Sequence, residues 1–197
     1  MTTAISKARV SKELIFREAA ILFQRKGYQA TSMRELATQV GLEVSSLYSH
    51  IRSKQEILER ICFDNAEQFI KGLEQIELGI CNPASQMQDI LGLHIDRASI
   101  DPSSITVFND EWRQLDEPAL TRFIQLRKNY ESRLLFILES GIEQGVFKRL
   151  DPQILLLTIL SIMRGVHHWV KSTKSDKAEE IKKVISAIML DGLLFGK

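Results

Sequence analysis

The sequence predicts an all-α protein of about nine helices: three short ones in an N-terminal module and about six in a larger body. Three observations support this. Apolar residues recur at the 3.6-residue spacing of amphipathic helices through the chain, and strand-type alternation is hard to find. The 197 residues include only four prolines and ten glycines, too few for a turn-rich β fold. All four prolines follow Asn, Asp or Glu, the setting of a helix start with proline in its first turn.

The elements read in order as follows. Ser11 to Lys26 places Ile15, Ala19, Leu22 and Phe23 on one face and stops at Gly27. Ser32 caps a short helix carrying Met33, Leu36, Ala37 and Val40, ended by Gly41. A second short helix follows, with Leu47, Tyr48 and Ile51 inward. Ser53 then caps a longer helix through Ile57, Leu58 and Ile61, with Glu56 completing a capping box. Asn82-Pro83, Asp101-Pro102, Glu117-Pro118 and Asp151-Pro152 open the next four helices. One long helix spans Leu120 to Glu143 before Gly145, and another runs from Asp151 to about Val170. The last runs from about Lys177 to Leu194, with Ile181, Val184, Ile185 and Ile188 on one face. We divide the chain at residues 1–55 and 56–197.

The helix after Asp151 is apolar around its circumference: Ile154, Leu155, Leu156, Leu157, Ile159, Leu160, Ile162 and Met163. Such a helix is buried all round. Two readings stay open, a central core helix or a helix with core on one side and a partner subunit on the other.

At 44% hydrophobic and 26% charged, the composition is that of a folded globular chain. The formal charge of +1 is unevenly spread: residues 1–60 hold ten Lys/Arg against six Asp/Glu, so the head is basic and the remainder acidic. That suits a protein touching a polyanion with one end, although a bias this small also arises by chance. Cys62 and Cys81 lack zinc-site or CxxC spacing and read as buried or incidental thiols. Met1 to Val10 is polar and basic, unlike a secretory signal. The apolar run Ile154 to Met163 is too short to span a bilayer. A cytoplasmic protein with no membrane partner is expected.

The informative stretch is Thr31 to Leu58. Two short helices meet at a turn containing Gly41, and Ala37 sits where they cross, which is helix-turn-helix geometry. The second helix, about Val44 to His50, offers Ser45, Ser46, Tyr48, Ser49 and His50, flanked by Arg34, Arg52 and Lys54. A plain helical hairpin on a polar surface has the same local pattern.

Further residues narrow the choice. Ile15, Ala19-Ala20, Leu22-Phe23, Gly27-Tyr28, Thr31, Leu36-Ala37, Gly41, Leu47-Tyr48, His50 and Ser53-Lys54 together resemble the DNA-binding domain of the tetracycline-repressor (TetR) family. The resemblance covers about the first 60 residues without gaps. It implies a homodimeric regulator, most often a repressor, with a three-helix DNA-binding domain and about six helices for ligand binding and dimerisation. It also implies roles by position. Ser32, Tyr48, His50 and Lys54 bind phosphates of double-stranded operator DNA, and Arg34, Val44, Ser45 and Ser46 meet base edges. Arg34 is suited to reading guanine. Leu36, Ala37 and Leu47 belong to the head's core. Many members have Ser or Thr where this chain has Glu43, and Phe where it has Ile51.

The body is looser in its resemblance. Glu111-Trp112-Arg113, Tyr130-Glu131, Gly141 to Phe147, Asp151-Pro152 and Trp169 are similar to the ligand domain of a subset of the family that senses acyl-CoA thioesters. A small hydrophobic effector is implied, with an acyl-CoA one candidate. Candidate pocket residues are Leu91, Ile95, Phe108, Trp112, Phe123, Met163 and His167, each of which also reads as plain core. Arg113 or Arg127 are candidates to hold an anionic group, though a surface salt bridge is the simpler fate of each.

No catalytic residues, cofactor or metal site are expected. His167 and His168 are neighbours pointing about 100° apart on a helix, a poor arrangement for chelation. No third ligand stands at helical spacing, and His94 is isolated. There is no phosphate loop, GxSxG or zincin motif. The alternative to a regulator is a helical small-molecule-binding dimer without sequence-specific DNA binding.

Overall fold

The computed structural model describes residues 11–79, 82–172 and 178–194. Among the described residues nine α-helices run in order: α1 Lys12–Lys26, α2 Met33–Gln39, α3 Val44–His50, α4 Lys54–Gly79, α5 Pro83–Ile100, α6 Pro102–Asp110, α7 Ala119–Glu143, α8 Pro152–Ser172 and α9 Ala178–Leu193. A single 3-10 turn, Trp112–Gln114, lies between α6 and α7. Among the described residues the one β-type contact is an isolated bridge between Phe147 and Leu194. Cys81 lies outside the described residues.

Local chemistry sets the boundaries. The Ser11 and Ser32 hydroxyls accept from the amides of Leu14 and Glu35, each satisfying one of the orphan donors of a first turn. Asn82, Asp101 and Asp151 cap the helices that begin at the following prolines. Gly27 and Gly41 have φ of 87° and 71°, the left-handed region that glycine enters without a Cβ penalty.

Four expectations need correction. Tyr48 does not face inward: its ring is 49% exposed, because it follows Leu47, which occupies the single fully inward position of α3. Glu56 receives the Ser53 cap through its amide, but its carboxylate accepts from Arg52 N at 2.6 Å, so the capping box reaches one residue too far back. Pro118 is the N-cap of α7, not its first residue, and Glu117 accepts from the Thr121 amide. On α9, Ile185 is buried in the chain's own core while Val184 and Ile188 are exposed, so the four predicted residues do not share one environment.

Two apolar clusters build the core. One gathers Ile15, Ala19 and Phe23 of α1 with Leu36, Ala37, Leu47, Ile51, Ile57, Leu58 and Cys62, and extends to Val107, Leu115 and Phe123. The head therefore rests on α6 and the start of α7 as well as on α4. The other lies within the body and includes Phe69, Leu91, Ile95, Leu134, Leu138, Phe147, Leu160, Met163 and Ile185. α7 ends by close approach: a Cβ on Gly141 would lie 2.1 Å from the Phe147 ring.

The circumference of α8 divides. Leu156, Ile159, Leu160, Met163 and Val166 are buried, whereas Ile154 and Leu157 on its other side are exposed. Further along, Ile162 and Trp169 of α8 line an open apolar groove with Val184 and Ile188 of α9, so both helices present exposed apolar surface. No described helix is long and apolar enough to cross a membrane.

Candidate DNA-binding surface and effector cavity

The first site is the surface of α2 and α3. The turn between them is closed by Leu42 N donating to Ala37 O at 2.8 Å, with Gly41 supplying the positive φ. Leu36, Ala37 and Leu47 are at most 1% exposed, which locks both helices to α1 and α4. Ser32, Arg34, Ser45, Ser46, Tyr48 and Ser49 are exposed, while Val44 and His50 are half-buried at the two ends of α3. Among the described residues, Arg34 and Arg52 have no ion pair. Short hydroxyl side chains along α3 let a helix backbone enter a major groove, and the unpaired arginines suit phosphate or guanine. Glu43 precedes α3 and makes no side-chain capping bond.

Lys54 is placed differently from these. Its ammonium donates to the carbonyls of Tyr28 and Thr31 at 2.9 and 3.0 Å, with Gln29 O at 3.4 Å, and lies 4.3 Å over the Tyr28 ring. It clasps the α1–α2 loop to the start of α4. Burial of Tyr28 pushes its phenol up to about 12.

The head is tied to the body by a polar seam. Gln24 Nε2 donates to Thr106 Oγ1 at 2.9 Å and to Pro102 O at 3.2 Å, and Ser103 donates to Gln24 Oε1. Tyr28 N donates to Glu111 Oε1, and Gln55 to the carbonyl of Gln114. Of these residues Tyr28, Pro102 and Glu111 alone were singled out from sequence, and none as part of a seam, because pairs some 60 to 80 positions apart leave no local pattern.

The second site is a cavity of about 50 Å³ among α4, α5, α6, α7 and α8. Its walls are Ala66, Phe69, Ile70, His94, Phe108, Asn109, Leu126, Arg127, Tyr130, Glu131, Leu160 and Arg164. Phe69 stacks on His94 and Phe108, and His94 Nε2 meets the Tyr130 hydroxyl at 2.9 Å. Burial holds His94 down to about 3 and so keeps it neutral. Arg164 pairs with Glu131. Arg127 has no carboxylate partner among the described residues. It lies 4.8 Å from the Trp112 ring, and burial lowers its guanidinium to about 10.

Of the seven predicted pocket residues, Phe108 alone lines this cavity. Leu91, Ile95 and Met163 are in the body core, and Phe123 is buried in the cluster that reaches the head. Trp112 lies beside Phe123 and Arg127. His167 faces Asn109 and Asp110. Helical spacing located apolar faces but does not separate a wall from a core.

The His167-His168 pair gains a partner that the sequence did not reveal. Asp110, the last residue of α6, brings Oδ2 within 3.5 Å of His167 Nε2 and 4.0 Å of His168 Nε2. Both rings rotate toward each other, with centroids 3.9 Å apart.

This fold, with its exposed α3 and its separate cavity, defines a helix-turn-helix transcriptional regulator with a second site in its body. Residues 15–61 match the sequence model described as bacterial regulatory proteins, tetR family, and residues 81–193 match the tetracyclin repressor-like C-terminal domain. The chain belongs to the TetR family of DNA-binding regulators. It is 25% identical over 178 residues to the HTH-type transcriptional repressor KstR2 of Mycolicibacterium smegmatis, covering 89% of this chain and 86% of that one. The structure of the ketosteroid regulator KstR2 of Mycobacterium tuberculosis superposes with a TM-score of 0.87 at 21% identity, over 95% and 98% of the two chains. AibR in complex with isovaleryl coenzyme A and operator DNA gives a TM-score of 0.77 at 21% identity, over 89% and 96%.

Proposed function

We propose that this protein is a homodimeric repressor that binds double-stranded operator DNA through α3 and leaves it when a small hydrophobic acid or its acyl-CoA thioester enters the body. The observation that carries the reading is the pairing of two features on one α6. At Gln24 and Glu111 the head is hydrogen-bonded to α6 and the residue after it, and Phe108 of the same helix forms a wall of the cavity.

Residues 1–55 serve as the DNA module and 56–197 as the effector and dimerisation domain. Arg34, Val44, Ser45 and Ser46 meet base edges, and Ser32, Tyr48 and His50 meet phosphates. Lys54 shapes the loop that presents Ser32, and its charge adds to the field at the phosphates. The exposed apolar face of α8 and α9 packs against its symmetry mate as a four-helix interface. That pairing would set two heads about one DNA turn, roughly 34–36 Å, apart.

Release follows from size. A cavity of about 50 Å³ is too small for an acyl chain, so an effector must push its walls apart, and displacement of the Phe108 wall would shift α6. An effector that prefers the shifted arrangement lowers operator affinity by the same factor by which operator lowers its own. KstR2 is named a repressor, and AibR was crystallised with an acyl-CoA and operator, which agrees with this reading. The test is selection of bound duplexes from a random pool, followed by release of the selected operator with fatty acids and acyl-CoAs. Retention on all DNA alike, at low salt only, would reject sequence-specific repression.

A further inference from the structure

We propose that Asp110, His167 and His168 bind a single divalent cation of the zinc type, which ties the C-terminal end of α6 to α8. The proposal stands apart from the effector cavity and does not need it.

Geometry is the first argument. Asp110 Oδ2, His167 Nε2 and His168 Nε2 lie within 4.8 Å of one another, with the carboxylate oxygen 3.5 and 4.0 Å from the two nitrogens. Tetrahedral zinc, with bonds of about 2.0–2.2 Å, spaces its ligand atoms about 3.3–3.5 Å apart. Closing the remaining gap needs small rotations of Asp110 and His168, both at exposed positions. Adjacent helical positions would ordinarily diverge, but here both rings have already turned to one side.

Burial is the second argument, and it is independent of the first. His167 is 1% exposed, yet its Nε2 has no hydrogen-bond partner. At 3.5 Å, Asp110 is too far to accept a sound hydrogen bond from it. A buried nitrogen left without a partner and aimed at a carboxylate and a second imidazole is the disposition of a ligand. At the opposite edge of the ring, Nδ1 lies 3.4 Å from the Asn109 side-chain amide, which itself reaches the Arg164 carbonyl at 3.5 Å. A carbonyl accepting from Nδ1–H would leave the Nε2 lone pair for the metal, as is usual for ligating histidines.

The donor set is the third argument. Two imidazoles and one carboxylate suit zinc, cobalt or nickel and disfavour calcium and magnesium, which take oxygen ligands. Three protein ligands leave a fourth position open. Because α6 also carries the seam to Gln24, occupancy would stiffen the element on which the head rests.

The test uses the full-length chain with any affinity tag removed. Co²⁺ titration should give visible ligand-field bands, and calorimetry with Zn²⁺ should give one ion per chain. Asp110→Asn and His168→Gln, both at exposed positions, should each weaken binding by about tenfold or more while circular dichroism is unchanged. His50→Gln should bind as wild type. Absence of both the Co²⁺ bands and the Zn²⁺ heat would overturn the site. So would binding that survives in both variants, which would mark an adventitious ion elsewhere.

Discussion

The ammonium of Lys54 donates to the carbonyl of Tyr28 at 2.9 Å and lies 4.3 Å above the same residue's ring. One residue at the start of α4 therefore holds the loop that positions Ser32, the cap of α2. Arg34, exposed and without an ion pair among the described residues, has no such internal task. The two cations should fail differently. Lys54→Ala should lower unfolding free energy by about 1.5–3 kcal/mol, the range for hydrogen bonds to a charged group, and weaken binding to all DNA sequences alike. Arg34→Ala should leave the unfolding midpoint unchanged and cost about 1–3 kcal/mol at particular base pairs. Urea titrations and operator binding across a base-substitution series measure both. Wild-type binding of the selected operator by both variants would remove the helix-turn-helix from DNA.

The head was legible because its determinants are local. Ser11, Ser32 and Gly41 act within four residues of themselves, and the buried Leu36, Ala37 and Leu47 sit at helical spacing. What was not legible depends on elements far apart in the chain. Gln24 with Thr106, and Asp110 with His167, are contacts between helices whose separation leaves no periodic trace. The apolar circumference of α8 was legible, but the expectation of burial all round is not met within the chain, where Ile154 and Leu157 stay exposed. The structure divides it at Leu156 and Leu157, one buried and its neighbour exposed.

That division makes a prediction about assembly. Leu157 and Ile188 are 63% and 68% exposed, so a charge there costs the folded monomer little. Leu157→Glu and Ile188→Glu should give folded monomers, seen as native circular dichroism with a halved mass in sedimentation. Ile185 is 6% exposed and belongs to the body core, so Ile185→Glu should unfold the chain rather than separate subunits. A wild-type monomer at micromolar concentration would end the dimer proposal.

His94 predicts a pH dependence. It is neutral in the folded state at about 3, against 6.5 when unfolded, because burial opposes its charge. The unfolded chain therefore takes up this proton first as pH falls. The contribution of this residue to stability is complete above pH 6.5 and is lost progressively between 6.5 and 3. From pH 7 to pH 5 the loss from this group should be about 2 kcal/mol. His94→Gln, which retains a polar partner for Tyr130, should flatten the slope of stability against pH by that amount. Equal slopes for wild type and variant in urea titrations at the two pH values would contradict it.

The effector prediction joins the cavity to the seam. Its wall is apolar at Phe69, Ile70, Phe108 and Leu160, and Arg127 and Arg164 are its cationic groups. Arg164 is matched by Glu131, which leaves Arg127, beside the Trp112 ring, as the group able to meet an incoming anion. A hydrophobic acid satisfies both parts of this environment, the chain against the aromatic wall and the anionic end against the guanidinium. A thioester would place its carbonyl there and its phosphates outside. A ligand at about 100 times its dissociation constant should add roughly 2.7 kcal/mol to the folded state, read as a rise in melting temperature. Arg127→Leu should reduce that rise for free acids more than for the matching acyl-CoAs. Phe108→Ala enlarges the cavity at the wall nearest the head, so it should loosen operator binding even without ligand. If no fatty acid or acyl-CoA raises the melting temperature and none releases the operator, the effector belongs to another chemical class, and the DNA-binding assignment stands unaltered.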